Sequence, residues 1–445
     1  SFDKPNNYAS PLVKRMKNEN SQSKKSNKSI ARRTLLKSVA TGGVIAGLTG
    51  TSLAQTTIED IIKAPGRGNW DDQFDAQASR TVSETVANVP IMSEQTIRNL
   101  EIALTQYSDV VASGGWPVVP AANRLRIGAV SRDVRVLRQR LMLSGDLSRS
   151  AGISDSFDSY VEGAVKRFQA RHGMPSDGVL GKFSFAAMNV SARVRLTQIE
   201  TNLVRLRAMS GFLGDRYVMV NIPAAQIEAI ENGKVALRHT AIVGKIDRQT
   251  PILNSKIHEV ILNPYWTAPR SIIEKDIVPL MRKDPTYLTR NAIRLFDGKG
   301  NEIAPETIDW NAEEAPKLMF RQDPGKINAM SSTKINFHNP HAVYMHDTPQ
   351  RSVFGKLLRF ESSGCVRVQN VRELSAWLLR DTDGWSRSAI ESGINSGENM
   401  EVLLSEPVPV YFTYFTTWSS ADGVVQFRDD IYQRDGVDLI ASREL

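Results

Sequence analysis

"FESSGCVRV" (residues 360–368) contains the only cysteine in the 445-residue chain, Cys365. The run reads as a short strand or tight turn, and its role decides what the C-terminal half is built to do. A lone cysteine is most often a small buried hydrophobe. A nucleophile instead needs a base or a positive environment to form the thiolate, and donors for the oxyanion made when it attacks a carbonyl. Gly364 permits a tight turn that can aim successive N–H groups at one point. Arg367 would share a side with Cys365 on a strand.

The base should be a histidine, and the chain has six. His172 sits in a turn of a helical stretch and reads as a packing or solvated residue. His239 alternates with Val235, Leu237, Ala241 and Val243 and edges a core. His258 lies in another strand run, and His338 and His341 flank the loop Asn339-Pro340. His346 differs, because it ends the apolar run "AVYM" and opens the turn Asp347-Thr348-Pro349. A strand end is both rigid and accessible. Tyr344, two residues earlier, should face the same side.

Working outward, the chain divides by period and composition. Residues 1–30 are rich in Ser, Asn and Lys and read as a disordered leader. Residues 31–55 have the order of an export signal, with Arg32, Arg33 and Lys37 before an uncharged stretch and small residues near Ala54. Residues 56–125 form an N-terminal helical scaffold, clearest at 93–111 with Ser93 as N-cap. Three short helices joined by Gly turns fill 126–190, with Val134, Leu137 and Leu141 on one face and Val161, Val165 and Phe168 on another. A linker helix follows in 191–215. From 216 the period changes to two, and Asn232-Gly233 marks a hairpin. Residues 270–325 break the strand pattern and read as an inserted lid. Strands resume at 334, Asn370 to Glu373 reads as a capping box before a helix, and 411–445 reads as a C-terminal extension.

The formal charge of +8 suggests nucleic acid, but residues 1–40 carry ten Lys/Arg against two Asp/Glu. The other 405 residues hold 46 of each sign, so the basic character belongs to the leader and no nucleic-acid partner is expected. One cysteine permits no intrachain disulfide. In an exported chain a free thiol is a liability unless buried or used. One Cys and scattered His make no ligand set, and no Gly-rich phosphate cradle occurs, so neither metal nor cofactor is expected.

Several words resemble a known family. "NPYWTAPRSI" (263–272), "GKINAMSSTKINFHNPHAVYMHDTPQRSVF" (325–354), "SSGCVRV" (362–368) and "PVPVYFTYFTTW" (407–418) are similar to the L,D-transpeptidase catalytic domain, whose signature is a strand-end His followed by Ser-x-Gly-Cys-x-Arg or -Asn. The helical stretch 126–190 resembles a peptidoglycan-binding domain. The resemblance is closest to the large Gram-negative kind, with a capping subdomain inserted in the catalytic domain, and Arg32-Arg33 resembles a twin-arginine signal. It implies an α+β multidomain fold: a small three-helix peptidoglycan-binding-like domain, then a mainly-β catalytic domain over 216–410 with its lid at 270–325.

It further implies that Cys365 is acylated by the L-centre carbonyl of diaminopimelate in a tetrapeptide stem, releasing D-Ala and giving 3→3 cross-links. His346 would be the base, with backbone N–H groups at Gly364 and Cys365 holding the oxyanion. Tyr344, Asp347, Ser363 and Arg367 would contact substrate or orient the site. Many relatives carry His two residues before the cysteine. Ser363 stands there, which leaves the base role to His346. The same pair using water would make an L,D-carboxypeptidase or endopeptidase. A non-catalytic wall-binding protein is the third reading. The implied partner is the peptidoglycan stem peptide, in the periplasm. Membrane contact would come only through an uncleaved leader, and the oligomeric state stays open.

Overall fold

The computed structural model describes residues 88–436 apart from 122 and 212; the leader, the export signal and residues 56–87 of the scaffold lie outside the described residues. Among the described residues no helix is long and apolar enough to cross a membrane.

Helix α1 (Glu94–Ala112) starts at Ser93, whose side chain accepts from the Thr96 N–H. The three-helix unit follows as α2 (Arg132–Leu143), α3 (Ser159–Arg171) and α4 (Lys182–Met188). Its core gathers Val134, Leu137, Leu141, Val161, Val165 and Phe168, the residues that the helical period places inward. Helix α5 (Ala192–Met209) is not the linker that its polar sequence suggests. With α1 it covers one side of a sheet: Ile97, Leu100, Ile199 and Leu203 share a core with Tyr217 and Met219.

The strands of the main sheet are β1 (Arg216–Asn221), β2 (Gln226–Glu231), β3 (Lys234–Gly244), β4 (Leu253–Leu262), β9 (Thr333–Phe337), β10 (Met345–His346), β11 (Phe360–Ser362), β12 (Val366–Val368) and β13 (Met400–Thr413). Their order is β11-β3-β12-β10-β9-β4-β13-β1-β2, and β3 also pairs with β2. That extra pairing closes the sheet into a barrel-like form, because the near half of long β3 binds β2 and its far half binds β12 and β11. Asn232 and Gly233 both have positive φ, 49° and 72°, and make the expected hairpin. Strand β1 is buried on both faces: Val218 and Val220 enter the barrel core, while Tyr217 and Met219 face the helices.

Three expectations need correction. The inserted stretch contains strands: β5 (Trp266–Thr267), β6 (Ile293–Phe296), β7 (Glu302–Ile303) and β8 (Met319–Gln322) form their own sheet. Helical turns from Arg270 to Arg290 pack on it around Ile273, Ile277, Leu288, Leu295 and Phe320. The insertion is therefore a subdomain with its own core, and it begins before residue 270. The boundary at 410 falls inside β13, which pairs in parallel with β1 across Val218↔Val410 to Asn221↔Thr413. The hairpin of β14 (Thr417–Ser419) and β15 (Val425–Phe427) then joins the core of α1 and α5 rather than extending away. Finally, no capping box opens α6 (Val371–Leu379). Asn370 adopts φ 54° with no side-chain cap bond, since Gln369 is still held to Thr240 and the chain must reverse at once.

Candidate active site

Strand pairing sets the site. Strand β10 lies between β9 and β12, with His346 opposite Lys334 on one side and Arg367 on the other. Met345, Ile335, Val366 and Val368 point into the barrel core. The alternate residues therefore face the other way: Lys334, Tyr344, His346, Cys365 and Arg367 share one face of three adjacent strands. The Val366 N–H to Tyr344 carbonyl bond, 3.1 Å, brings Cys365 beside Tyr344. The expected sharing of a side by Cys365 and Arg367 thus has a structural counterpart in the alternating burial of 364–368.

Cys365 follows a turn fixed on two sides. Gly364 has φ +116°, a conformation that disfavours any side chain. Its carbonyl accepts from Thr250 Oγ1 at 2.9 Å, and Thr250 Oγ1 in turn accepts from the Gly244 N–H at 2.8 Å. Ser362 Oγ donates to the Cys365 carbonyl at 2.5 Å and accepts from the Gly364 N–H at 3.2 Å. This last bond corrects the expected oxyanion pair. The Gly364 N–H is already engaged, so it is free for an oxyanion only if Ser362 turns away.

His346 is buried, and its Nδ1 lies 2.6 Å from the Asp347 carbonyl oxygen. A carbonyl only accepts, so Nδ1 carries the proton and Nε2 keeps its lone pair. Burial first, then the Arg367 cation, push the imidazole pKa down to about 4. Burial pushes the Cys365 thiol up, against opposing pulls from hydrogen bonds to the Tyr344 N–H and phenol and from Lys334 and Arg367. At neutral pH the two groups on this face therefore rest as a thiol and a neutral imidazole.

The remaining candidates divide. Tyr344 packs edge-on against His346 with centroids 5.5 Å apart. Its phenol bonds Cys365 and accepts from Trp266 of the inserted subdomain, and burial holds it protonated. The Asp347 carboxylate is not aimed at the site. It accepts from Ser332 Oγ at 2.7 Å and from the Thr348 N–H at 2.8 Å, so Asp347 reaches His346 through its backbone carbonyl. Ser363 is exposed and accepts from Arg248 Nη1 at 3.0 Å. The same guanidinium grips Asp276 of the inserted subdomain with both nitrogens. Among the described residues no cluster of His, Cys, Asp and Glu could hold a metal ion.

Lys334 escaped the sequence reading. Its Nζ lies 4.6 Å from the centre of the Tyr344 ring and its charge acts on Cys365. The available signal was its period of two with Asn336 in "TKINF", which means nothing until the β9–β10 register is known. Lys334→Met is expected to move the Cys365 thiol pKa further up and slow iodoacetamide alkylation at neutral pH. An unchanged curve of alkylation rate against pH would remove Lys334 from the site.

Comparison with known proteins follows the same division. Residues 215–398 match the family model for the "L,D-transpeptidase catalytic domain", and residues 131–188 match that for the "Putative peptidoglycan binding domain". A protein named "Putative L,D-transpeptidase" from Haemophilus influenzae is 33 % identical over 247 residues, which is 55 % of this chain and 50 % of that protein. The chain therefore spans half the length of that relative. An L,D-transpeptidase structure from Mycobacterium smegmatis is similar at 15 % identity over 45 % of this chain and 58 % of that one, with a TM-score of 0.22. One from Xylanimonas cellulosilytica is similar at 16 % identity over 66 % of this chain and 99 % of that one, with a TM-score of 0.21. Superpositions this loose carry no argument, so the two family matches decide: the chain bears an L,D-transpeptidase catalytic domain, preceded by a peptidoglycan-binding domain.

Proposed function

We propose that the protein is an exported cysteine L,D-transpeptidase that joins peptidoglycan stems by 3→3 cross-links in the periplasm. The observation that carries this reading is the placement of the chain's one thiol on the same sheet face as a histidine whose Nδ1 is tied and whose Nε2 is free to take a proton. In the first half-reaction Cys365 Sγ bonds to the carbonyl carbon at the L-centre of diaminopimelate while its proton passes to His346 Nε2. The C–N bond to D-Ala then breaks, and the same proton leaves on the departing amine. In the second half an amine of a neighbouring stem attacks the thioester, loses its proton to His346, and the thiol is restored. Arg367 and Lys334 put positive charge where substrate carboxylates and the developing oxyanion would sit.

Trp266 bonding Tyr344, and Arg248 joining Ser363 to Asp276, favour transfer over hydrolysis, because both hold the inserted subdomain against the catalytic turn. A covered thioester is shielded from water. The test is intact-protein mass spectrometry with purified tetrapeptide stems, beside Cys365→Ala. An adduct of stem minus D-Ala on the wild type alone, with cross-linked dimer in solution, is expected. Free tripeptide without dimer would assign hydrolysis, and a folded wild type with no adduct would sink the proposal.

A further inference from the structure

Away from Cys365, a cleft opens between the helical domain and the catalytic domain. Its walls come from the residues after α3, from α4 and α5, from the turn after β1, from the segment entering β11 and from the end of β15 with the residues after it. Three arginines line it: Arg195, Arg359 and Arg428. All three spend their hydrogen bonds on neutral oxygens. Arg195 donates to Gln198 Oε1 at 2.7 Å and to the Ala187 carbonyl at 3.2 Å. Arg359 donates to the carbonyls of Lys356 and Ala224, each at 3.1 Å. Arg428 donates to the carbonyls of Phe427 at 2.6 Å and Arg171 at 3.2 Å.

Arg195 is only 3 % exposed, and the Nε atoms of Arg195 and Arg359 are buried with no acceptor among the described residues. Among the described residues one carboxylate, Asp429, also lines the cleft. A guanidinium taken out of water without a counter-charge is costly, and here three face one carboxylate. Burial lowers each of the three arginines to about 10.

We propose that this cleft binds a carboxylate, which supplies the negative charge that the three guanidinium groups lack. A planar carboxylate matches the guanidinium fork and accepts two N–H bonds at once. That the ligand is a carboxylate of the wall peptide rests on the proposed function; the charge imbalance does not. A stem held here would lie on the same chain as the catalytic face, through Phe360, which lines the cleft and opens β11, the strand that leads to the Cys365 turn.

The test is calorimetric titration of the full chain with three probes: L-Ala-γ-D-Glu, the stem fragment that ends before diaminopimelate, then free D-Ala, then inorganic phosphate. The dipeptide is expected to bind at one site, at least tenfold more weakly in Arg359→Gln and more tightly in Asp429→Asn, which removes the competing carboxylate. Binding of D-Ala in place of the dipeptide, with the same response to both variants, would keep the carboxylate site and assign its source to free amino acid. Binding of phosphate alone, no binding, or affinity unchanged in both variants would overturn the proposal. Failure of Cys365 acylation with dipeptide binding intact would sink the proposed function and leave the cleft standing.

Discussion

His346→Gln is expected to lower acylation of Cys365 by tetrapeptide stems about 10²–10⁴-fold, the usual worth of a positioned general base, while changing iodoacetamide alkylation of the same thiol little. Glutamine can still donate an N–H toward the Asp347 carbonyl, so the turn after β10 keeps its anchor, but it cannot take a proton. The split between the two readouts follows from the resting charge state. Burial and Arg367 hold the imidazole at about 4, so at neutral pH there is no imidazolium to stabilise a thiolate before substrate arrives. Alkylation then draws on thiolate raised by Tyr344, Lys334 and Arg367 alone. Acylation needs the proton moved as the bond forms. If both rates fell together by a similar factor, Cys365 and His346 would be a preformed ion pair and the neutral resting state would be wrong. If neither fell, His346 would be a packing residue.

Cys365 and His346 stand out in the sequence as candidates because each stands at the seam between an apolar strand and a turn, where period and punctuation both show. What could not be found depends on register or on other sheets. Lys334 becomes a site residue only because β9 places it opposite His346. Trp266 reaches Tyr344 from a separate sheet. The Asp347 carboxylate looked available beside His346, yet Ser332 and Thr348 consume it. Helix α5, read from the sequence as a linker, carries Gln198 and Asn202. Both are buried, and Asn202 accepts from the Thr416 N–H at 3.0 Å while donating to Thr416 Oγ1 at 2.7 Å. Buried polar pairs of this kind leave no hydrophobic period to detect.

Stability is expected to fall as pH drops from about 6.5, and His172→Phe should remove part of that loss. Burial holds His346, His172 and His239 below the ordinary histidine value. The unfolded chain takes up protons at the ordinary value while the folded chain does not, so the stability these groups contribute is full above that value and lost as pH falls toward their folded ones. For His346, with its folded value at about 4, the loss approaches about 3 kcal/mol. Asp429 works the other way: burial raises it to about 6, so it favours the folded state as pH falls through that value. A single substitution separates these contributions.

His172 stacks on Phe168 with centroids 3.9 Å apart and on Phe427 at 5.5 Å, joining the helical domain to the β15 hairpin. Arg171, Arg195 and Arg140 all oppose a charge on it. Phenylalanine would keep the stack, and the residue-172 N–H would still satisfy the Phe168 carbonyl. Urea unfolding at pH 7 and pH 4.5 should show a smaller difference in midpoint for His172→Phe than for the wild type. Equal differences would mean that His172 accepts its proton without loosening the joint. Protonation would then be absorbed by local movement at the cleft rather than by unfolding.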